Sequence, residues 1–217
     1  MSKLTLIIGN KNYSSWSLRP WIFMKQSQID FVEKRIPLFT DTTNQELSPY
    51  FSNDKVPVLL DGDFIVWDSM SIMEYLSENY LSSKAWPSDT RSRAFARSVS
   101  AEMHSSFFAV RNELPMNCRK KFDNFTLSSE VQKDIQRIKN IWQKCKTEYG
   151  PHGDWLFGEY SIADAMYAPV VLRFVGYDVP LDGLEKTYVQ HVLDQPHIKE
   201  WIEAGVKEKE IIEEDEI

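Results

Sequence analysis

The sequence predicts an α/β layer followed by an all-helical one, and three observations carry that expectation. Strand-like and helix-like stretches alternate over residues 1–82, every long segment from Thr90 onward has helical period, and residues 83–89, which include Pro87, break the pattern between them. The expected units are therefore 1–82, a linker at 83–89, and 90–217.

Leu4 to Gly9 reads as a short buried strand stopped by glycine, and Leu18 to Gln28 puts Leu18, Trp21 and Ile22 on one helical face. Ile29 to Leu38 is a second strand and Asn44 to Tyr50 a short helix. Val56–Leu60 and Phe64–Trp67 form a hairpin across Asp61-Gly62-Asp63. A helix from Ser69 to Leu81 turns Ile72, Met73, Tyr75 and Leu76 inward, which completes the order βαβαββα. Helical period then covers Thr90–Leu114, Ser129–Tyr149, Ser161–Phe174, Leu184–Leu193 and Ile198 to about Lys209. The acidic run Glu213–Glu216 reads as a solvated tail without a role.

Composition narrows the partners. The chain has 217 residues, 42% of them apolar, enough for a proper core. Its formal charge of −7 offers no clustered basic surface for nucleic acid or an anionic membrane, so a small neutral or zwitterionic ligand is expected. Cys118 and Cys145 form no CxxC pair, the four histidines have no metal-ligand spacing, and no metal is expected. No apolar run reaches transmembrane length, and the first residues lack a basic-then-apolar signal, so a reducing cytoplasmic setting is expected.

The stretch Asn12-Tyr13-Ser14-Ser15-Trp16-Ser17-Leu18-Arg19 joins the first strand to the first helix. Such a junction aims backbone N–H groups and the positive helix end at one point, where anions are stabilised. The hydroxyls of Tyr13, Ser14 and Ser15 either cap the helix or serve as donors to a ligand; no partner at triad spacing makes one a nucleophile. Val56-Pro57 heads a strand, where proline's missing N–H is tolerated and a cis bond would turn the Val56 backbone outward. Asp68-Ser69 opens the third helix, where Ser69 is expected to cap it, the helix N-terminus suits a carboxylate and Asp68 an ammonium. A ligand with an α-amino acid end fits that pair.

Ser14-Ser15-Trp16-Ser17-Leu18-Arg19, Val56-Pro57 and Asp68-Ser69, followed by a helical half, resemble the glutathione transferase superfamily over nearly the whole chain. The resemblance implies a thioredoxin-like N-terminal domain, an all-α C-terminal helical bundle, and glutathione as co-substrate. Ser161-Ile162-Ala163-Asp164 resembles the family's capping box. Ala101–Phe107 with Arg111 and Pro115-Met116-Asn117 resembles a segment of bacterial members.

By this resemblance Asp68 and Ser69 take the γ-glutamyl end, Val56 before Pro57 pairs with the cysteinyl backbone, and Gln45 and Lys55 are candidates for the glycyl carboxylate. The sulfur faces Ser14 by a zeta-class alignment, Ser15 by a theta-like count, or Tyr13 by analogy with tyrosine-type members, in that order. Trp16 stands where the zeta class has cysteine, which weakens an isomerase reading. The second substrate is expected against Met103, His104, Phe107, Arg111, Tyr167 and Arg173. The implied function is thiolate attack on a small electrophile by a homodimeric, detoxifying enzyme. The alternatives are a maleylacetoacetate isomerase-like cis–trans isomerase and a non-catalytic glutathione-binding stress adaptor.

Overall fold

A computed structural model describes residues 3–216. Strand β1 (Thr5–Ile8), helix α1 (Ser15–Gln26), β2 (Val32–Arg35), α2 (Thr43–Leu47), β3 (Val58–Asp61), β4 (Phe64–Val66) and α3 (Ser69–Tyr80) make the first layer. The sheet order is β2-β1-β3-β4, with β1 parallel to β2 and antiparallel to β3, and β3 antiparallel to β4. This is a thioredoxin-like sheet. The period of two along β1 explains its position: Leu6 and Ile8 point into the main core with α1 and α3, while Ile7 joins Ile36, Leu47 and Val58 beneath α2. At the hairpin Gly62 adopts φ +63°, which glycine takes without steric cost.

Strand β2 is shorter than the apolar run around it suggests. It is an edge strand whose Glu33, Lys34 and Arg35 are exposed, so only Val32–Arg35 pairs, and on one side.

The helical layer follows as α4 (Thr90–Ser105), α5 (Phe108–Glu113), α6 (Ser129–Lys144), α7 (Ile162–Gly176), α8 (Gly183–Asp194) and α9 (Pro196–Lys207). Helix α7 carries Tyr167, Val170, Val171 and Phe174 through the core, where the Trp142 ring packs against Tyr167 and Phe174 and Tyr188 packs against Trp142 in turn. Its start is a full capping box between Ser161 and Asp164. Residues 83–89 hold no helix or strand, yet Ala85 and Trp86 are buried and the Ala85 carbonyl accepts from Ile162 N at 3.0 Å. None of the described helices is long and apolar enough to cross a membrane.

Two expectations are corrected. The single helix expected over Thr90–Leu114 is broken between α4 and α5, where Phe107 is buried with φ +60°. Arg111 donates to the carbonyls of His104 (3.0 Å) and Ser106 (3.2 Å) and so satisfies the C-terminal end of α4. The acidic tail is not merely solvated. Within the run, Glu213–Asp215 forms a single 3₁₀ turn and Glu216 accepts from Asn117 Nδ2 (3.0 Å); just before it Glu208 accepts from the backbone N–H of Lys11 (2.8 Å) and Asn12 (3.1 Å), Glu210 pairs with Arg35 (2.7 Å) and Ile212 is buried.

Candidate functional site

The site begins where β1 ends. Gly9 N donates to Ser17 Oγ at 3.0 Å, and Asn12 holds the loop to the segment after α5, donating to Asn117 Oδ1 (3.0 Å) and accepting from Arg119 N (3.0 Å). Those contacts bring together the two stretches of sequence that stood out, Asn12–Arg19 and Pro115–Asn117.

Ser14 is the N-cap of α1: its Oγ accepts from Ser17 N at 3.4 Å and donates to Ser17 Oγ at 2.8 Å. The helix therefore starts three residues before the first apolar position of its period. Tyr13 donates its hydroxyl to Glu216 Oε1 (2.5 Å) and accepts from Arg119 Nη2 (2.6 Å). Burial first, and the bond to Glu216 second, raise its pKa.

Ser15, the first residue of α1, accepts from Arg173 Nη2 at 3.1 Å, and its backbone carbonyl accepts from Arg19 Nη1 at 3.3 Å. The Arg19 and Arg111 guanidiniums lie over the Trp16 ring at 4.3 and 4.4 Å. Burial, and then the nearby positive charge of Arg111, pull Arg173 down to about 10; the same two causes lower Arg19. This corner is electropositive and buried.

The peptide bonds Val56–Pro57 and Trp67–Asp68 are both cis. Asp68 caps α3, accepting from Met70 N (3.0 Å) and Ser71 N (3.2 Å) through Oδ1, while Oδ2 lies 2.7 Å from His104 Nε2. Ser69 Oγ is buried and has no hydrogen-bond partner among the described residues. A buried hydroxyl at a helix start costs free energy when left unpaired, and its geometry suits an incoming anion.

Two cavities flank these groups and share Trp16, Lys55 and Val56. The larger, about 590 Å³, runs past Tyr13, Ser14 and Ser15 to Leu38 and Phe39, and is bounded by Ile212 and Asp215 of the tail. The smaller, about 310 Å³, is lined by Pro57, Trp67, Asp68, Ser69 and His104.

The candidate residues are thus only partly gathered. Gln45 is exposed on α2 and lines neither cavity, whereas Lys55 lines both. Met103, Phe107 and Tyr167 are buried and line neither of these cavities, and Tyr167 donates to the Val99 carbonyl at 3.1 Å. Arg111 and Arg173 stand behind the larger cavity rather than on it, touching Trp16 and Ser15. His104 joins Asp68 in the smaller cavity instead of a separate substrate surface. Sequence reasoning missed the loop Leu38–Thr40 and the tail residues Ile212 and Asp215; the loop follows a second strand and could have been found from the sheet order.

The architecture is a thioredoxin-like domain packed on a helical bundle, with paired cavities at the N-terminal ends of α1 and α3. Residues 13–79 match the family described as glutathione S-transferase, N-terminal domain. Glutathione S-transferase 1 of Dianthus caryophyllus is 25% identical over 206 residues, 91% of this chain and 90% of that one. A dichloromethane dehalogenase of Methylophilus leisingeri is 39% identical over 66 residues, 30% of this chain, and the match spans only 25% of that relative's length. A glutathione transferase homolog from Burkholderia gl BGR1, solved with bound glutathione, has a TM-score of 0.71 at 22% identity, covering 94% of this chain and 98% of that one. Residues 13–79 thus match a glutathione S-transferase N-terminal domain, and the chain as a whole has the fold of that glutathione transferase homolog.

Proposed function

We propose that this chain is a glutathione-dependent transferase, acting in the cytoplasm as a homodimer, that ionises the glutathione thiol at the start of α1 and presents it to a small electrophile. The observation that carries the reading is the pair at the start of α3. Ser69 Oγ is buried without a partner among the described residues, beside Asp68, the capping carboxylate that lines the smaller cavity with it. An α-carboxylate would satisfy the Ser69 hydroxyl and the α3 N-terminus, and the ammonium beside it would meet Asp68. The Val56 backbone, on the wall common to both cavities, then receives the cysteinyl unit, and Lys55 attracts the glycyl carboxylate. The sulfur comes to rest at the serines of the larger cavity, whose Leu38, Phe39 and Ile212 offer an apolar wall to an electrophile.

The energetics suffice. Lowering a thiol from about 8.5 by two pH units requires a preference of about 2.7 kcal/mol for the thiolate. One hydrogen bond to a charged group supplies about 1.5–3 kcal/mol, and a helix N-terminus about 0.3–1 kcal/mol more. Calorimetric titration with glutathione and with S-methylglutathione tests the binding, and conjugation of a chlorinated nitroarene tests the chemistry. Binding of both thiol and thioether, with conjugation by the former, is expected. Failure of glutathione to bind at millimolar concentration rejects the reading.

A further inference from the structure

Three of the hydroxyls at the start of α1, those of Tyr13, Ser14 and Ser15, line the larger cavity, and each has one proton to donate. That of Tyr13 goes to Glu216 at 2.5 Å and that of Ser14 to Ser17 Oγ at 2.8 Å. Among the described residues, Ser15 Oγ has no acceptor; its one hydrogen bond is the one it receives from Arg173 at 3.1 Å. Because Arg173 Nη2–H occupies a lone pair of that oxygen, the Ser15 O–H is left to turn toward the larger cavity, which Ser15 lines.

Resting on the transferase reading above, we infer that Arg173 is a positioning residue for Ser15: its guanidinium fixes the Ser15 hydroxyl so that this hydroxyl donates to the glutathione sulfur. The thiol proton departs to water, and Ser15 keeps its own proton while hydrogen-bonding the thiolate. Accepting from a cation polarises the O–H and strengthens the bond it donates. Arg173 is itself held: its Nη1 donates to the carbonyls of Leu114 and of Arg111 (3.4 Å), so its fork is fixed at the end of α5. Helix α7 packs directly on α1, which makes this a contact between the two layers rather than a flexible surface reach. Ser14, whose oxygen caps α1 and whose proton is committed inside the turn, holds the helix start in place.

The test is an ultraviolet titration of glutathione thiolate bound to the full chain, in the wild type, Ser14→Ala, Ser15→Ala, Arg173→Met, Arg173→Lys and the double variant Ser15→Ala/Arg173→Lys. Ser15→Ala is expected to lower the ionisation constant of the bound thiol by roughly tenfold to a hundredfold, the loss of one hydrogen bond to a charged group. Arg173→Met is expected to reduce it at least threefold, and Arg173→Lys by less, because lysine keeps charge and a donor without the planar fork. In the Ser15→Ala background the lysine substitution is expected to change nothing further, since an effect transmitted through Ser15 vanishes with it. If Arg173→Lys lowers the thiolate fraction equally in both backgrounds, the arginine acts by its field and the inference is overturned. It is overturned as well if Ser14→Ala, and not Ser15→Ala, abolishes ionisation. Should Arg173→Met fail to fold, the lysine pair decides alone. If wild-type protein binds glutathione with the thiol ionising as it does in free solution, the transferase reading itself falls, a result distinct from the other two.

Discussion

His104 Nε2 lies 2.7 Å from Asp68 Oδ2, so a histidine near the end of α4 steadies the carboxylate that caps α3. The same His104 ring meets Trp16 edge-on at 5.3 Å between centroids. Asp68→Ala removes both the cap and the proposed partner of the ligand ammonium. Caps are worth about 0.5–2 kcal/mol, so a measurable fall in melting temperature is expected, together with at least a tenfold rise in glutathione Kd. His104→Ala leaves the Oδ1 cap in place and is expected to raise Kd about threefold to tenfold, with little change in stability. Equal losses of affinity in the two variants would argue against Asp68 as the direct contact.

Tyr13 is placed at the site but is occupied by the tail. Its hydroxyl joins Glu216 and Arg119, and Arg119 also donates to the carbonyls of Glu208 (2.6 Å) and Glu210 (3.2 Å). Tyr13→Phe is expected to leave the bound thiol ionised as in wild type. It should instead speed amide exchange across residues 208–216 by roughly fivefold to tenfold, the loss of about 1 kcal/mol of local stability. A thiol that ceased to ionise in this variant would restore tyrosine as the activating hydroxyl.

Asp164 makes stability depend on pH in a direction opposite to most carboxylates. Burial pushes its carboxyl from 3.8 up to about 6, outweighing the bonds it accepts from Leu156 N (3.0 Å), Ser161 N (2.9 Å) and Tyr188 OH (3.3 Å). A carboxyl raised in the folded state binds protons more tightly there than when unfolded. Its contribution to stability is therefore full below about pH 4 and is lost as pH rises through 6. Asp164→Asn has no such titration, although it carries a constant penalty for facing amide nitrogen toward donors. The difference in unfolding free energy, wild type minus variant, is expected to shrink by roughly 2 kcal/mol between pH 4 and pH 7. Denaturant melts at four pH values measure it, and a constant difference would show that the carboxylate ionises as it does in water.

The features legible in the sequence are the local ones. The alternation of Leu6, Ile7 and Ile8, the Asp61-Gly62-Asp63 turn and the Ser161/Asp164 box are each specified by residues within a few positions of one another, and each is present in the structure. The break at Phe107 was not legible, because its positive φ is held by burial of the ring and by the two carbonyls that Arg111 captures, not by a glycine or proline. Likewise the bond between Arg173 and Ser15 spans 158 positions and depends on the packing of α7 against α1. The run Glu213–Glu216 reads as solvated from sequence because the partners of Glu216, Tyr13, Asn117 and Lys120, lie on distant segments. Charge alone does not reveal which acidic residues find a fixed donor.

Gly205 on α9 offers a test of how rigidly the first loop must be held. A Cβ there would stand 3.0 Å from Asn12 N and 3.1 Å from both Asn12 Cα and Lys11 C, all backbone atoms that cannot swing aside. Alanine favours a helix over glycine by about 0.8–1 kcal/mol, but overpacking against fixed backbone costs about 1–3 kcal/mol. The net change is expected to be destabilising. Relief requires α9 and the Lys11–Asn12 segment to separate by a few tenths of an ångström, which lengthens the bonds from those two N–H groups to Glu208. Gly205→Ala should therefore lower the melting temperature and also loosen the turn that carries Tyr13, Ser14 and Ser15, reducing turnover more than glutathione affinity. Thermal melts combined with separate kcat and KM values distinguish this from a general loss of folding. If Gly205→Ala raises the melting temperature with kcat intact, the helix gain has prevailed and the α9 contact is softer than its geometry implies.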